Sequence, residues 1–379
     1  MTRLLSAFLC VLCLELAPAR ADSSLSLTAK PGTMIHDATY LPPPFWWPPG
    51  APWNGEGQNE DASYRYGPSL IRYDGNKLHF WACSEGDSEV ADYIRYKHSD
   101  DGGASWGQEA IALAPTVGSD DGWAVCDPNV IKIGIYFYLA YTATTDSSNG
   151  GLDNQIFVAR ATAPDGPYSK WNGTGWGGNP KPIVTYNGPP TSWGYGEPNM
   201  VVVGDTLYLY YTDGEATGRT RVATANANST DWPATLVQRG YAIADRDSYE
   251  DQTDVKYLPE VNLFIATAIG ERFTMWSYVH VWWSSDGLSF QPVDNDEVTE
   301  NVIPKAHNMG MSGDYLGHAR MGGQEYISYS YTGPGGSWGR WNTWLNPVTI
   351  SGAGWSAVPP AQEEPMISIM PILMLLLDE

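Results

Sequence analysis

The sequence predicts an all-β protein with the fold of a five-bladed β-propeller. Three observations predict it: short stretches of alternating apolar and aromatic residues, mostly Gly-containing turns between them, and recurrence of this pattern about every 60 residues. No long stretch has helical periodicity. The 379 residues include 40 Gly and 28 Pro, which fits a turn-rich sheet protein. We therefore expect a single domain over residues 22–379.

Five repeat units follow one another along the chain. Each begins with an apolar strand, continues through a tight turn and returns as a second strand. The units start near residues 67, 127, 197, 254 and 314, with turns at Asp74-Gly75, Ile133-Gly134, Gly204-Asp205, Pro259-Glu260 and Gly322-Gly323. Intervening segments such as "NQIFVARATAPDGPYSKW" supply the third and fourth strands of each blade. Each unit is thus predicted to be one blade.

Acidic residues stand at the start of several units. Asp127 lies in "CDPNVI", Glu197 in "GEPNMV" and Asp254 in "TDVKYL". The first strand of each propeller blade lines the central axis, so we expect these three carboxylates to meet in one funnel. Converging carboxylates repel, and one of them then holds its proton more tightly. A proton donor beside an ionised carboxylate is the pair that glycosidic bond cleavage requires.

At these residues the chain resembles the five-bladed propeller glycosidases, above all glycoside hydrolase family 43 and more distantly family 32. The likeness covers roughly residues 60–350, and its motifs are short. The resemblance implies that Glu197 is the general acid and that Asp127 orients it. It also implies a role for His318 in "LGHARM", either as a ligand of a central calcium ion or as a sugar-hydroxyl contact.

The first unit departs from the family pattern. The family has its general base, an Asp, at the start of the first blade, where "YGPSLI" has Gly67. Asp61 and Asp254 are the favoured replacements, and Asp37, Glu56 and Glu60 are further candidates upstream.

Aromatic residues are in excess of what a core alone requires, with 17 Trp and 23 Tyr. Because the apolar face of a sugar stacks on a flat ring, some of them are expected to bind carbohydrate. Arg65 is a candidate for binding a substrate carboxylate. The residues expected to bind substrate are Arg65, Trp123, Trp193, Tyr195, His318 and Trp47, the last in the Pro-rich segment "LPPPFWWPPGAPWNGEG", a lid or a strap.

The chain ends and the net charge bear on location. Residues 1–21 have a positive start, an apolar middle and an Ala-Arg-Ala ending, which predicts a signal peptide and a secreted or periplasmic protein. In that compartment Cys83 and Cys126 form a disulfide or remain two buried thiols. A net charge of −22 argues against nucleic acid and anionic membranes as partners. The apolar segment 366–377 is too short to span a bilayer.

These observations favour a secreted, monomeric glycoside hydrolase that acts on a plant or algal polysaccharide or its oligosaccharides. A polysaccharide lyase or a metal-dependent sugar deacetylase centred on Asp127, Glu197 and His318 is the alternative enzyme. Because the first-blade Asp is missing, a carbohydrate-binding propeller without turnover is the alternative outside enzymes.

Overall fold

The computed structural model describes residues 25–37, 64–86, 91–145, 150–214, 219–244, 250, 252–332 and 341–352. The predicted signal peptide, the Pro-rich segment with Trp47, Asp61 and the apolar segment 366–377 lie outside the described residues. The described residues form 21 strands and one short 3-10 turn, Trp232–Thr235. Within these ranges, none of the helical segments has the length and hydrophobicity of a membrane span.

Four-stranded antiparallel sheets form the first four blades. Blade 1 contains β3 (Arg65–Tyr73), β4 (Lys77–Glu85), β5 (Asp92–Ser99) and β6 (Ala110–Leu113). Blade 2 contains β7 (Ala124–Ile133), β8 (Tyr136–Thr144), β9 (Gln155–Ala161) and β10 (Ser169–Lys170). Blade 3 contains β11 (Tyr195–Val203), β12 (Thr206–Asp213), β13 (Arg219–Asn226) and β14 (Val237–Ile243). Blade 4 contains β15 (Asp254–Leu258), β16 (Leu263–Gly270), β17 (Tyr278–Ser284) and β18 (Gln291–Val298). One parallel pair, Asp92 with Ala124, connects blades 1 and 2.

The fifth blade combines the two ends of the described chain. It contains β19 (Ala306–Met311), β20 (Gln324–Thr332) and β21 (Trp341–Gly352), and β1 (Leu25–Ala29) adds to its outer edge. Leu27 pairs with Ile350 in this antiparallel contact, and β2 (Thr33–His36) also pairs with β21. The N-terminal strand therefore completes the last blade, which closes the ring.

The predicted start of the fifth blade was wrong. Its innermost strand is β19, Ala306–Met311, whereas Asp314 lies in the connection to β20. The predicted Gly322-Gly323 turn directly precedes β20. It does not form a tight hairpin, however, because β19 ends at Met311 and the connection to β20 comprises residues 312–323. The starts predicted near residues 67, 127 and 197 fall inside β3, β7 and β11.

Cys83 and Cys126 form a disulfide, which decides the alternative that the sequence left open. The bond joins β4 of blade 1 to β7 of blade 2, with the two Cα atoms 4.9 Å apart. Because Cys126 directly precedes Asp127, the crosslink restrains the backbone where the candidate site begins.

Candidate active site

Four of the five innermost strands share an unusual backbone feature near their first residues. Gly67, Asp127, Glu197 and Asn308 all have a left-handed φ, between 40° and 58°. Each lies at a β-bulge, where the register with the neighbouring strand shifts. For a residue with a Cβ this conformation costs about 1–2 kcal/mol. Bulges of this kind redirect side chains and occur near active sites. We call the start of the five innermost strands the lip.

Side chains from different blades meet at the lip. Asn308 Nδ2 donates to Glu197 Oε1 at 3.1 Å, and the backbone N–H of Gln252 donates to Glu197 Oε2 at 3.0 Å. A β-carbon built on Gly67 would lie 2.9 Å from Asp127 Oδ1 and 3.6 Å from Gln252 Oε1. All five blades therefore contribute to one small polar centre. Asp127 and Glu197 thus contribute to the same polar centre, Asp127 beside Gly67 and Glu197 beside Gln252.

Glu197 is also positioned through its own backbone. Its N–H donates to Thr142 Oγ1 at 2.8 Å, and Thr142 on β8 pairs with Cys126, the neighbour of Asp127. Glu197 is 5% exposed and Asp127 is 6% exposed, so both carboxylates are largely removed from water. Electrostatic interactions between such groups are stronger than they would be at the surface.

A second polar ring lies two residues below the lip. Val130 N–H donates to Ser69 Oγ, Met200 N–H to Asn129 Oδ1 and Val255 N–H to Asn199 Oδ1, at 2.8–3.1 Å. Each bond joins the innermost strand of one blade to that of the next blade, so the ring fixes their relative register. The ring also shows which residues are equivalent in different blades. The residue that directly precedes each donor N–H belongs to the second ring of its own strand, as Asn129 does before Val130 and Asn199 before Met200.

This equivalence corrects the expectation for Asp254. Asp254 directly precedes Val255, so it belongs to the second ring, and Gln252 takes the lip position of blade 4. The Asp254 carboxylate forms an ion pair with Lys256, and both side chains are at most 4% exposed. Burial raises the pKa of Asp254, while the Lys256 ammonium opposes that shift. The sequence analysis assigned Asp254 to the lip, although the lip residue of blade 4 is Gln252, two residues earlier. The error arose because Asp254 is an acid, like Asp127 and Glu197, whereas Gln252 is an amide.

Arg65 does not occupy the expected substrate-binding position. Its guanidinium is 1% exposed and forms a salt bridge with Glu109, with Nε donating to Oε1 at 2.9 Å. Another guanidinium nitrogen donates to the backbone carbonyl of Tyr64 at 2.8 Å. The ion pair therefore connects the start of β3, the first strand of blade 1, to the residue directly before β6, its last strand.

His318 lies at the opposite end of the central strands from the lip. Its Nε2 is 2.6 Å from the carbonyl of Val202, which can only accept, so Nε2 donates. Val202 is five residues beyond Glu197 along β11, a distance of about 16 Å. The expected contact of His318 with substrate at the lip was therefore wrong. With Nε2 bound to a carbonyl and Nδ1 3.6 Å from Asp314 Oδ2, the residue does not fit the expected calcium site.

Among the described residues, one group brings three side chains of metal-binding type close together, and it contains Cys83, Cys126 and Asp92. The two sulfurs are joined in the disulfide, so no thiolate is present to bind a metal. The group does not fit a metal centre.

The aromatic candidates flank the lip at different depths. A β-carbon built on Gly196 would lie 2.5 Å from the Trp193 ring, so the indole rests directly on the residue before Glu197. Tyr195 packs against Tyr186, with ring centroids 5.1 Å apart. Trp123 is partly buried, and its carbonyl accepts from Ala91 N–H. Of these three aromatic rings, that of Trp193 contacts Gly196, the residue before Glu197.

Sequence analysis missed several residues at or beside the lip. Gln252 and Asn308 were overlooked because they are amides, and His307 packs beside Asn308 with its ring 4.6 Å from those of Phe273 and Trp341. A polar residue followed by a second polar residue two positions later and by an apolar residue three positions later is the pattern that marks Asp127, Glu197 and Gln252 alike. Aligning the units on that pattern finds Gln252.

Solved glycoside hydrolases have a similar structure. A family 117 glycoside hydrolase from the marine bacterium Zobellia galactanivorans is 15% identical, with a TM-score of 0.53 over 86% of this chain and 90% of that chain. The catalytic domain of a family 62 α-L-arabinofuranosidase from Coprinopsis cinerea is 14% identical, with a TM-score of 0.55 over 79% and 95%. An α-L-arabinofuranosidase from Podospora anserina, solved with cellotriose, is 12% identical, with a TM-score of 0.52 over the same shares.

These similarities confirm the five-bladed β-propeller fold. At such low identity, the shared property is the fold. No protein-family model matches the chain, and no curated protein sequence matches it.

Proposed function

We propose that this protein is a secreted glycoside hydrolase that cleaves a glycosidic bond in a plant or algal polysaccharide or its oligosaccharides. The observation that supports this most strongly is the meeting of Asp127 and Glu197 with amides from blades 4 and 5 at one lip. The propeller glycosidases with the same fold, two of them arabinofuranosidases, support the substrate class.

In the proposed reaction Glu197 is the general acid and protonates the departing glycosidic oxygen. Asn308 Nδ2 donates to one Glu197 oxygen and Gln252 N–H to the other, so protonation of either oxygen weakens the hydrogen bond that this oxygen accepts. Asp127 is the second carboxylate, which orients the acid and favours its protonated form through charge repulsion.

The reaction also needs a group that activates water or attacks carbon. Gly67 supplies none, and the space beside it is filled by the ends of Asp127 and Gln252. Asp254 is engaged with Lys256 in the second ring. We therefore assign the base to Asp61, four residues before β3, which lies outside the described residues.

The test compares wild type, Glu197→Gln and Glu260→Gln on a panel of aryl glycosides and neutral polysaccharides. We expect Glu197→Gln to lower kcat by about 10²–10⁴-fold while sugar binding persists. Glu260→Gln, in the exposed β15–β16 turn at the other end of the blade, serves as the matched control and keeps full activity. A Glu197→Gln enzyme that turns over at the wild-type rate refutes the assignment.

A carbohydrate-binding propeller without turnover is the second candidate, and the crowded Gly67 position favours it. Binding to polysaccharide with no product from any member of the panel would support it. Unsaturated products that absorb ultraviolet light would identify a lyase, and acetate release would identify a deacetylase. Size-exclusion chromatography tests the proposed monomer.

A further inference from the structure

The connection between β16 and β17, residues 271–277, exposes an aromatic side chain on the lip side of blade 4. Trp276 is 78% exposed and Met275 is 60% exposed. Because Asp254 pairs with Thr267, the end of β16 at Gly270 extends beyond the second ring toward the lip. The Phe273 ring lies 4.6 Å from that of His307, the neighbour of Asn308. The loop is therefore continuous with the candidate active site.

Hydrogen bonds connect the loop to blade 5 and stabilise its turn, although the loop exposes a large apolar ring. Phe273 N–H donates to the carbonyl of Ala306 at 3.1 Å, and Lys305 N–H donates to that of Thr274 at 2.7 Å. The Thr274 hydroxyl donates to the carbonyl of Glu271 and accepts from Trp276 N–H. Glu271 and Phe273 have φ values of 48° and 65°, which are unfavourable for residues with a Cβ. Such conformations persist where the surroundings hold them in place, often at ligand sites.

The exposed surface has the size of a sugar ring. A Trp side chain offers about 150–250 Å², whereas a stable protein interface buries about 800 Å² on each partner. One indole in this loop is too small for a protein partner by itself. Its flat face matches the apolar face of one pyranose or furanose ring, and the adjoining lip continues the surface for the rest of a chain.

We infer that Trp276 forms an additional saccharide-binding subsite, at which a polysaccharide chain stacks one sugar ring while a neighbouring part of the chain reaches the lip. The inference rests on the proposed function, because it assumes that the polysaccharide cleaved at the lip extends beyond the cleaved bond and reaches Trp276. Phe273 and its contacts with blade 5 position the loop. The subsite therefore adds affinity for polymers and contributes little to a substrate that fills the lip alone.

The test uses arabinoxylan and arabinan as polymers and 4-nitrophenyl α-L-arabinofuranoside as the small substrate. The variants are Trp276→Ala, Trp276→Tyr and, as a matched control, Ile135→Ala, which removes a side chain that is 66% exposed in the β7–β8 turn at the other end of a blade. Native affinity electrophoresis measures polymer binding independently of hydrolysis, and initial rates measure KM and kcat.

We expect Trp276→Ala to weaken polymer binding about tenfold, with a similar rise in KM for the polymer. Trp276→Tyr retains most of the affinity, and Ile135→Ala retains all of it. The kcat/KM for the aryl glycoside stays within about twofold for every variant, and the melting temperatures match that of wild type.

Three outcomes overturn the inference: no binding of wild type to either polymer, unchanged polymer binding by Trp276→Ala, or an equal loss on polymer and aryl glycoside. A larger elution volume of Trp276→Ala than of wild type also overturns it, since Trp276 then contacts a second copy. Failure of the proposed function has a different result: Glu197→Gln keeps wild-type turnover while Trp276→Ala still loses polymer affinity.

Discussion

Asn308 Nδ2 donates a 3.1 Å hydrogen bond to Glu197 Oε1, which connects the lip of blade 5 to that of blade 3. The two residues are 111 positions apart in the chain, and each has a left-handed φ in an innermost strand. The bond shows that a propeller can place a neutral donor against a candidate acid by repeating one backbone bulge in several blades.

Replacing the amide by a charge tests the role of Glu197. Asn308→Asp puts a carboxylate beside Glu197 and favours protonated Glu197 at higher pH. If Glu197 is the general acid, the alkaline limb of the kcat/KM profile moves to higher pH by about one unit. Asn308→Ala, which removes the donor without adding charge, is the control. A shift of the acidic limb alone would instead identify Glu197 as a base or nucleophile.

Adding a side chain at Gly67 tests whether the lip has room for a first-blade acid. In Gly67→Asp the new β-carbon would lie 2.9 Å from Asp127 Oδ1, which is closer than van der Waals contact. The aspartate would also have to adopt the left-handed φ of Gly67. We expect it to lower the free energy of unfolding by about 2–3 kcal/mol, with no gain in kcat. Urea unfolding and initial rates measure the two effects.

Gly134→Ala is the matched control for this steric contact. Gly134 has φ +60, against +58 at Gly67, and a β-carbon added there would meet no atom within 4 Å. Gly134→Ala therefore costs only the backbone contribution, about 1 kcal/mol. A rise in kcat for Gly67→Asp would show that the lip accommodates a base there.

Removing the disulfide tests its contribution to stability and to the position of Asp127. The double variant Cys83→Ala/Cys126→Ala opens a loop of sequence separation 43. We expect a loss of about 4 kcal/mol in the free energy of unfolding, and a lower kcat at temperatures where the variant is still folded. Wild type in reducing buffer should behave like the variant. Unchanged kcat in the folded variant would mean that the strands alone hold Asp127.

Asp254 is predicted to be structural. Asp254→Asn leaves the Lys256 ammonium buried without its partner and costs about 3–5 kcal/mol. Asp254→Leu/Lys256→Met removes both charges and should recover most of that stability. The kcat per folded molecule remains close to wild type in both variants. Loss of kcat at full stability would make Asp254 a candidate base again.

Asp92 should make stability depend on pH. Burial raises the pKa of Asp92 to about 7, and the hydrogen bond from the Tyr64 hydroxyl opposes this shift. Because the folded-state pKa lies above the unfolded value of about 4, the contribution of Asp92 is fully present below pH 4. It is lost as the pH rises through 7.

Melting temperatures between pH 4 and 8 check the prediction for Asp92. Asp92→Asn should flatten the decline in melting temperature over this range, whereas Asp205→Asn in the exposed β11–β12 turn should leave it unchanged. A wild-type decline that persists in Asp92→Asn would assign the pH dependence to another group.

The sequence alone predicted the strands, the hairpins and two lip residues, Asp127 and Glu197. These features depend on side-chain alternation and turn residues, which act over a few neighbouring positions. The pattern also predicted that acids from distant units meet, since a propeller brings its innermost strands together.

Only the tertiary structure decided which residues complete the lip. Alternation repeats every two residues, so it tolerates a two-residue shift between Gln252 and Asp254 and did not separate β19 from the segment around Asp314. Hydrogen bonds between blades, such as Val255 N–H to Asn199 Oδ1, fix the register, and the packing of Asp127 against Gly67 fills the place of a first-blade acid. Both contacts join residues more than 50 positions apart, and no local pattern specifies interactions over that distance.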